Sequence, residues 1–500
     1  MPHAAALVGI DLGTSAVKVA AHAADDGREL AEATQAYGLQ TPAQGFVEQN
    51  ADEVYRATMR SLRSVLDEIK LRGAEPAAVG FSAAMHGVLA VDARGEPISP
   101  LINWMDRRSA RIAEEWRRDG TAAELYARTG APMHPMLPLC KLRWLAQNDP
   151  SLFTRASRFV GMKELCVYRW TGEWLVDDAI ASATGMLDTQ TRAWDPHALE
   201  LSGVGPERLS TPVSCSTQRA VSRSAVAGTL GIDAGTPIVL ASSDGALANL
   251  GTGAFHSDLL TLTLGTSGAL RIVSDRPSLD AQGRTFCYLF DDTHWLVGGP
   301  TSSAGAVLEH IFGLLLPDVP EEKRFARAIE LAAGAPAGAD GLTILPFLSG
   351  ERAPYWRGDL RGLIAGLDLA HDRRFILRAA FEGVIFALLS VFVVMRELGV
   401  NPSAIVLSGG LTHAAFVRQM IADVFEVETQ LPDRPEASAF GAAMFAGLAI
   451  GALPSLDAVG ALLRYPETYA PQAADRAAYR AAFQRFEERA RAELRALGTA

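Results

Sequence analysis

Two stretches of the chain share one pattern of apolar and polar positions. In LVGIDLGTSAVKVAAHA, an apolar run ends at Leu12, a small turn follows, and apolar and polar residues then alternate. In LLTLTLGTSGALRIV, the apolar run ends at Leu264 and the same turn follows. An apolar strand, a short turn containing glycine and an alternating strand are typical of a β-hairpin. We therefore predict two hairpins with identical turns, Gly13, Thr14 and Ser15 in the first and Gly265, Thr266 and Ser267 in the second.

Each hairpin is followed, at a distance, by a strand that runs into small residues. These strands are predicted at 78–82 (AVGFS) and at 405–410 (IVLSGG). The repeated arrangement indicates an α/β chain built from two similar halves. The segment NLGTGAFHS is rich in glycine and small polar residues, so we place the boundary near 248–256.

The length of 500 residues also favours two domains over a single core. We predict an N-terminal domain at 1–250 and a C-terminal domain at 251–455. The remaining segment, 456–500, contains DRAAYRAAFQRFEERARAEL, which is typical of an amphipathic helix. We expect it to form a helical tail.

Composition narrows the class of protein. The chain is 49% hydrophobic and 21% charged, as in soluble globular proteins. Its net charge of -11 argues against broad binding to nucleic acid or to an anionic membrane. Four cysteines without a CxxC pair indicate neither a zinc site nor a disulfide framework. No basic region precedes the first apolar stretch, and the longest uncharged apolar run, 383–395, is too short to span a bilayer. We expect a cytoplasmic protein in which this run forms a buried helix.

The Gly-Thr-Ser turns suggest a phosphate site. Backbone N–H groups of a tight turn, with two hydroxyls beside them, can cradle phosphate oxygens. Asp11 precedes the first turn, whereas Thr263 stands at the matching place before the second. A carboxylate beside a phosphate requires a cation, so we assign Asp11 to magnesium. Lys18, on the return strand, either reaches the phosphates or is an ordinary strand lysine facing solvent.

Other phosphate-binding designs are absent from the sequence. It has no GxxxxGK, no HRD…DFG set and no GxGxxG. This excludes the P-loop and protein-kinase designs.

Several segments together resemble the FGGY family of carbohydrate kinases, and the resemblance runs from about Leu7 to Leu448. It implies two actin/Hsp70-like (ribonuclease H-like) α/β domains with an interdomain active-site cleft, and it implies ATP and Mg²⁺ as cofactors. The first domain would bind sugar and magnesium and supply the base, and the second would bind the nucleotide. One family signature is matched by MLPLCKLRWLAQN, and a second is matched loosely by GLIAGLDLAHDRRFILRAAFE, with Phe375 where a polar residue is usual. The other segments are GIDLGTSAVK, GFSAAMHGVLAVDARGEPISPLINWMDRRS, ASSDGALANLG, LTLGTSGAL, SGERAPYW and VLSGGLTHAAFVRQMIADVF.

Phosphorylation of a sugar hydroxyl needs a base, and a carboxylate aligned with the nucleophile is the usual one. Asp244 follows an apolar strand and matches the family's catalytic aspartate. An aspartate before glycine is also a common helix cap.

The resemblance also places the ligand contacts. Met85 and His86 match the sugar-contact pair, and Asn103, Trp104 and Asp106 match the sugar-lining segment, with Asp106 as a hydroxyl acceptor. Considered alone, His86 and Trp104 would be core residues. Gly409 and Gly410 resemble the adenosine motif, although ordinary strand-to-helix turns use glycine too.

Within the family, the sequences of the motifs resemble the gluconokinase branch more closely than the xylulokinase branch. We predict D-gluconate as substrate, with D-xylulose as the alternative. A carboxylate on the substrate needs cations or several donors, and Arg107, Arg108 and Lys163 are candidates. Lys163 and Arg352 could instead pair on the surface.

Two other classes compete with a sugar kinase. An actin- or Hsp70-like ATPase without a sugar substrate shares the phosphate cradle but does not explain FSAAMHG or NWMDRR. A sugar sensor would require loss of Asp11 or Asp244, and both are present. We expect the partners to be a sugar or sugar acid and ATP, with no nucleic acid or membrane, in a monomer or a homodimer.

Overall fold

The computed structural model describes residues 4–434 and 437–498. The chain divides into two compact units. The first unit comprises Met1–Phe255, Val273–Leu296 and Glu436–Leu463, and the second comprises His256–Ile272, Val297–Pro435 and Arg464–Ala500.

The strands are β1 (Ala4–Leu12), β2 (Ala16–Ala23), β3 (Glu29–Ala36), β4 (Glu48–Gln49), β5 (Ala74–Ala83), β6 (Leu89–Val91), β7 (Leu101–Ile102), β8 (Arg158–Val160), β9 (Leu175–Asp177), β10 (Leu187–Asp188), β11 (Ala193–Trp194), β12 (Thr211–Val213), β13 (Gln218–Ala220), β14 (Pro237–Val239), β15 (Leu259–Leu264), β16 (Gly268–Ser274), β17 (Phe286–Leu289), β18 (Trp295–Thr301), β19 (Thr343–Leu345), β20 (Leu363–Ala365), β21 (Ala404–Ser408), β22 (Glu428–Leu431) and β23 (Glu467–Tyr469).

The α-helices are α1 (Ala51–Leu71), α2 (Ala110–Arg118), α3 (Thr121–Thr129), α4 (Pro138–Asn148), α5 (Pro150–Arg155), α6 (Met162–Thr171), α7 (Asp178–Ser182), α8 (Pro196–Ser202), α9 (Ser224–Leu230), α10 (Asp244–Gly251), α11 (Gly305–Leu315), α12 (Glu321–Ala333), α13 (Arg373–Glu397), α14 (Ala415–Phe425), α15 (Ala437–Ala449), α16 (Leu456–Gly460) and α17 (Arg476–Ala496). Short 3₁₀ helices lie at Pro206–Arg208, Ala339–Gly341 and Gly410–His413.

The first unit is built on a six-stranded sheet in the order β13-β14-β5-β1-β2-β3. The predicted first hairpin is confirmed, because β1 pairs antiparallel with β2. Strand β1 also pairs parallel with β5, and β5 pairs parallel with β14. The carboxyl ends of these three strands therefore lie at one edge of the sheet.

Helix α15 packs against the sheet of the first unit at very short range. A Cβ atom added at Gly9 on β1 would lie 1.9 Å from the carbonyl oxygen of Ala439, and one at Gly80 on β5 would lie 2.2 Å from that of Ala442. Only glycine permits this approach of helix and strand backbones. This helix belongs to the first compact unit, although it follows most of the second along the chain and lies within the predicted C-terminal bounds 251–455.

The second unit repeats the strand arrangement of the first. Its strands run in the order β18-β16-β15-β21-β22-β23. The predicted second hairpin is confirmed, since β15 pairs antiparallel with β16 and parallel with β21. Hairpin and parallel neighbour thus occur once in each unit, as the internal repeat predicts.

The core of the second unit contains α13, the helix predicted from the apolar run at 383–395. By length and composition α13 could cross a membrane, but 83% of its most apolar window is buried within the protein. It packs against α12, α14 and β19. Its buried Arg378 and Glu382 pair with each other at 2.7 Å. These contacts identify α13 as a core helix.

Helix α17 is an integral part of the second unit. Phe486 is completely buried, and Glu487 accepts a hydrogen bond of 2.6 Å from the Ser390 hydroxyl on α13. The predicted helical tail at 456–500 thus contains α17, whose apolar face is buried in the core of the second unit.

Candidate active site

The predicted magnesium ligand and the predicted base lie at the same edge of the first sheet. In the parallel pairing of β1 and β5, Asp11 lies beside Ser82. At the next position, Ala83 bridges to Ser243, the residue before Asp244. Ligands of α/β sheets bind at the carboxyl ends of parallel strands, which is where Asp11 and Asp244 are placed.

Asp11 is half-buried and is oriented by its neighbours. It accepts a hydrogen bond of 2.6 Å from the Ser82 hydroxyl. Lys18 is its cross-strand partner on β2, and the Lys18 ammonium pairs with Glu32 at 2.7 Å. Glu32 thus partly neutralises the lysine that we predict to reach the phosphates.

The chemistry of these donors fits one kind of magnesium site. Among residues 4–434 and 437–498, no group of three or more His, Cys, Asp or Glu side chains could hold a metal ion. Magnesium in phosphoryl-transfer sites keeps several waters and takes one or two carboxylates together with phosphate oxygens. A single carboxylate at Asp11 fits that mode and does not fit an all-protein cage.

The first Gly-Thr-Ser turn is held by side chains from three other segments. The Tyr37 hydroxyl donates to the Gly13 carbonyl at 2.6 Å. The Gln49 side-chain amide donates to the Thr14 carbonyl at 2.8 Å. The Trp104 indole N–H donates to the Thr14 hydroxyl at 2.9 Å. The turn is therefore fixed before any ligand binds.

Gln49 connects this turn to the predicted sugar-lining segment. Its side-chain oxygen accepts a hydrogen bond of 2.7 Å from the Asn103 amide, and its own amide reaches Thr14. Gln49 is buried, with 3% of its surface exposed. We did not predict this residue, and no local pattern in FVEQN distinguishes it.

His86 has a defined tautomer and a strained backbone. Its Nδ1 lies 2.7 Å from the Ala183 carbonyl oxygen, which can only accept, so Nδ1 carries the proton and Nε2 presents a lone pair. Its φ angle is +68°, which is uncommon outside glycine. Such strain persists where the surroundings fix a functional side chain.

Six of the residues predicted for the site line one cavity of the first unit, together with Gln49. They are Gly13, Met85, His86, Asn103, Trp104 and Lys163. Asp11, Asp106 and Asp244 do not line it. The structure thus brings the predicted sugar contacts together beside the first Gly-Thr-Ser turn.

Asp106 is placed differently from the prediction. Its two carboxylate oxygens accept four hydrogen bonds, from the Val47 N–H at 2.7 Å and from the backbone N–H, Nε and Nη2 of Arg108 at 2.9, 2.9 and 2.7 Å. A carboxylate has about four acceptor positions, so none remains for a sugar hydroxyl. Asp106 is 1% exposed, and a buried carboxylate is stable only when it is paired in this way.

Arg108 is correspondingly occupied and is not the cation expected for a substrate carboxylate. Besides Asp106, its guanidinium pairs with Glu48 at 2.5 Å. It also lies over the Phe46 ring, 4.0 Å from the centroid. Two carboxylates and an aromatic face thus hold it within the protein.

Lys163 and Arg352, which could have paired on the surface, are both buried. The Lys163 ammonium pairs with Asp177 at 2.6 Å and donates to the carbonyls of Leu240 and Ser242 at 3.0 and 2.9 Å. It therefore holds the segment that leads into Asp244. Arg352 donates to the Thr301 carbonyl at 2.7 Å within the second unit.

Asp244 is the first residue of α10 and does not cap it. The N-cap is Ser243, whose hydroxyl accepts from the Ala246 N–H. Asp244 accepts from the adjacent Gly245 N–H at 2.6 Å and is half-buried. A carboxylate in the first turn of a helix is stabilised in its charged form by the helix dipole.

The second Gly-Thr-Ser turn is held by the start of α11. The N–H groups of Gly305 and Ala306 donate to the carbonyls of Gly265 and Thr266 at 3.0 and 3.2 Å. Residues Thr263 and Ser408 are hydrogen-bonded at 2.9 Å in the place that Asp11 and Ser82 occupy in the first unit. The two hairpins therefore correspond residue by residue, with a hydroxyl where the first has a carboxylate.

Gly409 and Gly410 lie at the end of β21, beside this second turn. Gly409 has φ +91°, and a Cβ atom added there would lie 2.4 Å from the Leu264 carbonyl oxygen. A Cβ atom added at Gly410 would meet no described atom within 4 Å. The pair thus combines one position where glycine is required with one that faces open space.

Comparison with known proteins agrees with this arrangement. Models of the N- and C-terminal domains of the FGGY family of carbohydrate kinases match residues 6–251 and 260–450. A gluconokinase from Bacillus licheniformis is 35% identical over 481 residues, covering 95% of this chain and 93% of the relative. Two crystal structures from Lactobacillus acidophilus, described as a gluconate kinase and as a ligand-bound xylulose kinase, each superpose with a TM-score of 0.93 at 31% identity, covering 98% of both chains. The two-unit α/β architecture is the predicted actin/Hsp70-like fold, and the chain belongs to the FGGY family of carbohydrate kinases.

Proposed function

We propose that this ATP-dependent carbohydrate kinase converts D-gluconate to 6-phosphogluconate. The observation that carries the choice of sugar is the 35% identity to a gluconokinase along nearly the whole chain. D-xylulose is the alternative, because a structure with the same TM-score of 0.93 is described as a xylulose kinase.

The proposed base is Asp244. The sugar hydroxyl attacks the γ-phosphorus, the bond from that phosphorus to the ADP oxygen breaks, and the hydroxyl proton passes to the Asp244 carboxylate. The position of Asp244 at the start of α10, at the sheet edge where Asp11 also lies, supports this role.

The other proposed contacts follow from the two turns. The turns at 13–15 and 265–267 would hold phosphate oxygens through N–H and hydroxyl groups, with Lys18 contributing charge. Magnesium, held through Asp11, would neutralise charge on the phosphates. Gly409 and Gly410 would lie against the adenosine.

Sugar hydroxyls would bind in the cavity of the first unit, where His86 Nε2 accepts and the Asn103 amide donates. Arg108 and Lys163 are both engaged with protein carboxylates. Arg107, the third candidate cation, is exposed, and it stays our prediction for the contact with the carboxylate of gluconate.

The test is a coupled ADP-release assay with gluconate, D-xylulose and related polyols. We expect kcat/KM to be highest for gluconate; a higher value for D-xylulose would replace the assignment with a xylulokinase. ADP release that no sugar accelerates would instead favour an actin- or Hsp70-like ATPase.

The role of Asp244 is tested by Asp244→Asn, which keeps the shape but cannot take the proton. We expect kcat to fall by about 10²- to 10⁴-fold with the KM for ATP near the wild-type value. Asp67→Asn, at an exposed position on α1, is the matched control and should keep wild-type kcat. Near-normal turnover of Asp244→Asn would remove Asp244 from the mechanism.

A cytoplasmic location, the absence of nucleic-acid and membrane partners, and the choice between monomer and homodimer stay predictions. The net charge of -11 and the burial of α13 support the first two.

A further inference from the structure

Lys141 is a completely buried lysine on α4, in the signature segment MLPLCKLRWLAQN. Its ammonium donates hydrogen bonds to three backbone carbonyls, those of His86 at 2.7 Å, Asn103 at 2.8 Å and Ile102 at 3.4 Å. The mechanism proposed above assigns it no task.

These carbonyls belong to two of the segments that line the cavity of the first unit. His86 lies in the loop after β5, and Asn103 directly follows β7. Both side chains line the cavity. One ammonium therefore joins the segment that presents the imidazole to the segment that presents the amide, and it sets the distance between them.

Lys141 has no carboxylate partner. The ion pairs of residues 4–434 and 437–498 include Lys163 with Asp177 but none with Lys141. The charged or titratable groups that act on it are Asp106, Arg108 and Cys140. Asp106 is itself neutralised by Arg108, so burial dominates and lowers the pKa of Lys141 to about 7.

We propose that Lys141 is a positioning residue for the sugar, and that only its protonated form holds the sugar site at full affinity. An ammonium has three donors and satisfies all three carbonyls, whereas a neutral amine has two donors and a lone pair. Loss of the proton must therefore release at least one carbonyl and loosen His86 or Asn103. This inference rests on the proposed assignment of the cavity to the sugar.

The expected consequence is a KM for sugar that rises with pH. At pH 6 most Lys141 is protonated, and between pH 6 and 9 the KM for gluconate should rise by about 10-fold, the effect of losing one charge-assisted hydrogen bond. D-Xylulose, which has no carboxylate, should show the same rise if it is turned over, so substrate charge is not the cause.

The test is to measure kcat and both KM values from pH 6 to 9 for the wild type, Lys141→Met and Lys141→Arg, together with Tm. Lys141→Met has a chain of similar length without a donor, and it should show a KM for gluconate at pH 6 raised by at least about 10-fold and nearly independent of pH. The KM for ATP should change less. Lys141→Arg keeps a charge at every pH, so its KM for gluconate should stay flat. Lys70→Met, at an exposed position on α1, is the control and should keep the wild-type profile.

Three outcomes would overturn the proposal. They are a wild-type KM for gluconate that stays flat from pH 6 to 9, a Lys141→Met enzyme with the wild-type profile, or a Lys141→Met enzyme in which Tm falls while both KM values change equally. The wild-type profile decides the question even if Lys141→Met does not fold. Absence of turnover with any sugar would overturn the proposed function and this inference with it.

Discussion

The two glycines at the end of β21 allow a sharp test of the nucleotide site, because a methyl group would meet different surroundings at each. At Gly409 the backbone has φ +91° and ψ 154°, a region essentially restricted to glycine. The added Cβ would lie 2.4 Å from the Leu264 carbonyl oxygen and 2.5 Å from its carbon. At Gly410 neither obstacle exists.

The magnitudes follow from these contacts. An alanine in the Gly409 conformation costs about 1 to 3 kcal/mol of strain. Relief of the overlap requires movement of Leu264, which directly precedes the second Gly-Thr-Ser turn. We expect Gly409→Ala to lose at least about 2 kcal/mol, a fall in Tm of about 4 to 8 °C. Gly410→Ala should change stability by less than about 0.5 kcal/mol.

The assay combines thermal unfolding with steady-state kinetics. Gly409→Ala should lower Tm and raise the KM for ATP together, because the turn moves. Gly410→Ala should leave Tm unchanged yet raise the KM for ATP by about 10-fold, because the methyl occupies space that we assign to adenosine. The KM for gluconate should stay near wild type in Gly410→Ala.

Each half of this experiment has its own refutation. A wild-type Tm for Gly409→Ala would show that the steric argument is wrong. A wild-type KM for ATP in Gly410→Ala would show that the nucleotide does not lie against this position.

Two further predictions concern the first unit. Trp104→Phe keeps an aromatic ring but loses the N–H bonded to Thr14, so kcat/KM in steady-state assays should fall by about 5- to 10-fold. Trp295→Phe is the control, because the Trp295 indole nitrogen has no hydrogen-bond partner, and it should match wild type. Burial raises the pKa of Glu164 to about 7, so its stabilising contribution is complete below its unfolded pKa of 4.5 and is lost as pH rises through 7. Denaturant unfolding should therefore show the wild-type free energy of unfolding falling by up to about 3 kcal/mol between pH 5 and 8, and Glu164→Gln should lack this fall. The same pH dependence of the unfolding free energy in wild type and Glu164→Gln would contradict this prediction.

Sequence patterns predicted the parts of this molecule that depend on neighbouring residues. The alternation around the two turns predicts the hairpins, and the apolar runs before Asp11 and Asp244 place each aspartate at the end of a strand. Strand polarity and order then bring these carboxylates to one place without any knowledge of side-chain packing.

Contacts between distant segments could not be predicted in the same way. Gln49 reaches Thr14, and Lys141 reaches His86, only because the folded chain brings separate loops together. A lysine in a helix of mixed pattern gives no sign that it will be buried against carbonyl groups. The only sign in the sequence is that Lys141 lies in a family signature, and that signature does not predict which groups the lysine contacts.

The partners of the candidate cations differ in how far the sequence reveals them. Arg108 was one of three candidates for a substrate carboxylate, and its partner Asp106 stands two residues before it. A nearby carboxylate of this kind was the available signal. For Lys163 the partner is Asp177, across a helix and a loop, and no local signal exists.

The packing of α15 on Gly9 and Gly80 has a consequence for biosynthesis. Strands β1 and β5 leave the ribosome early, but the helix that covers them is made only after most of the second unit. In a nascent chain that ends at residue 255, the sheet face around Gly9 and Gly80 would be exposed, because the helix that packs against these glycines has not yet been synthesised. The same helix contacts α10, where a Cβ atom at Gly251 would lie 1.9 Å from the Ala437 carbonyl oxygen. We therefore expect the N-terminal half, excised alone, not to fold as an autonomous unit, and the helix that carries Asp244 to acquire its final support only when synthesis has passed Ala449.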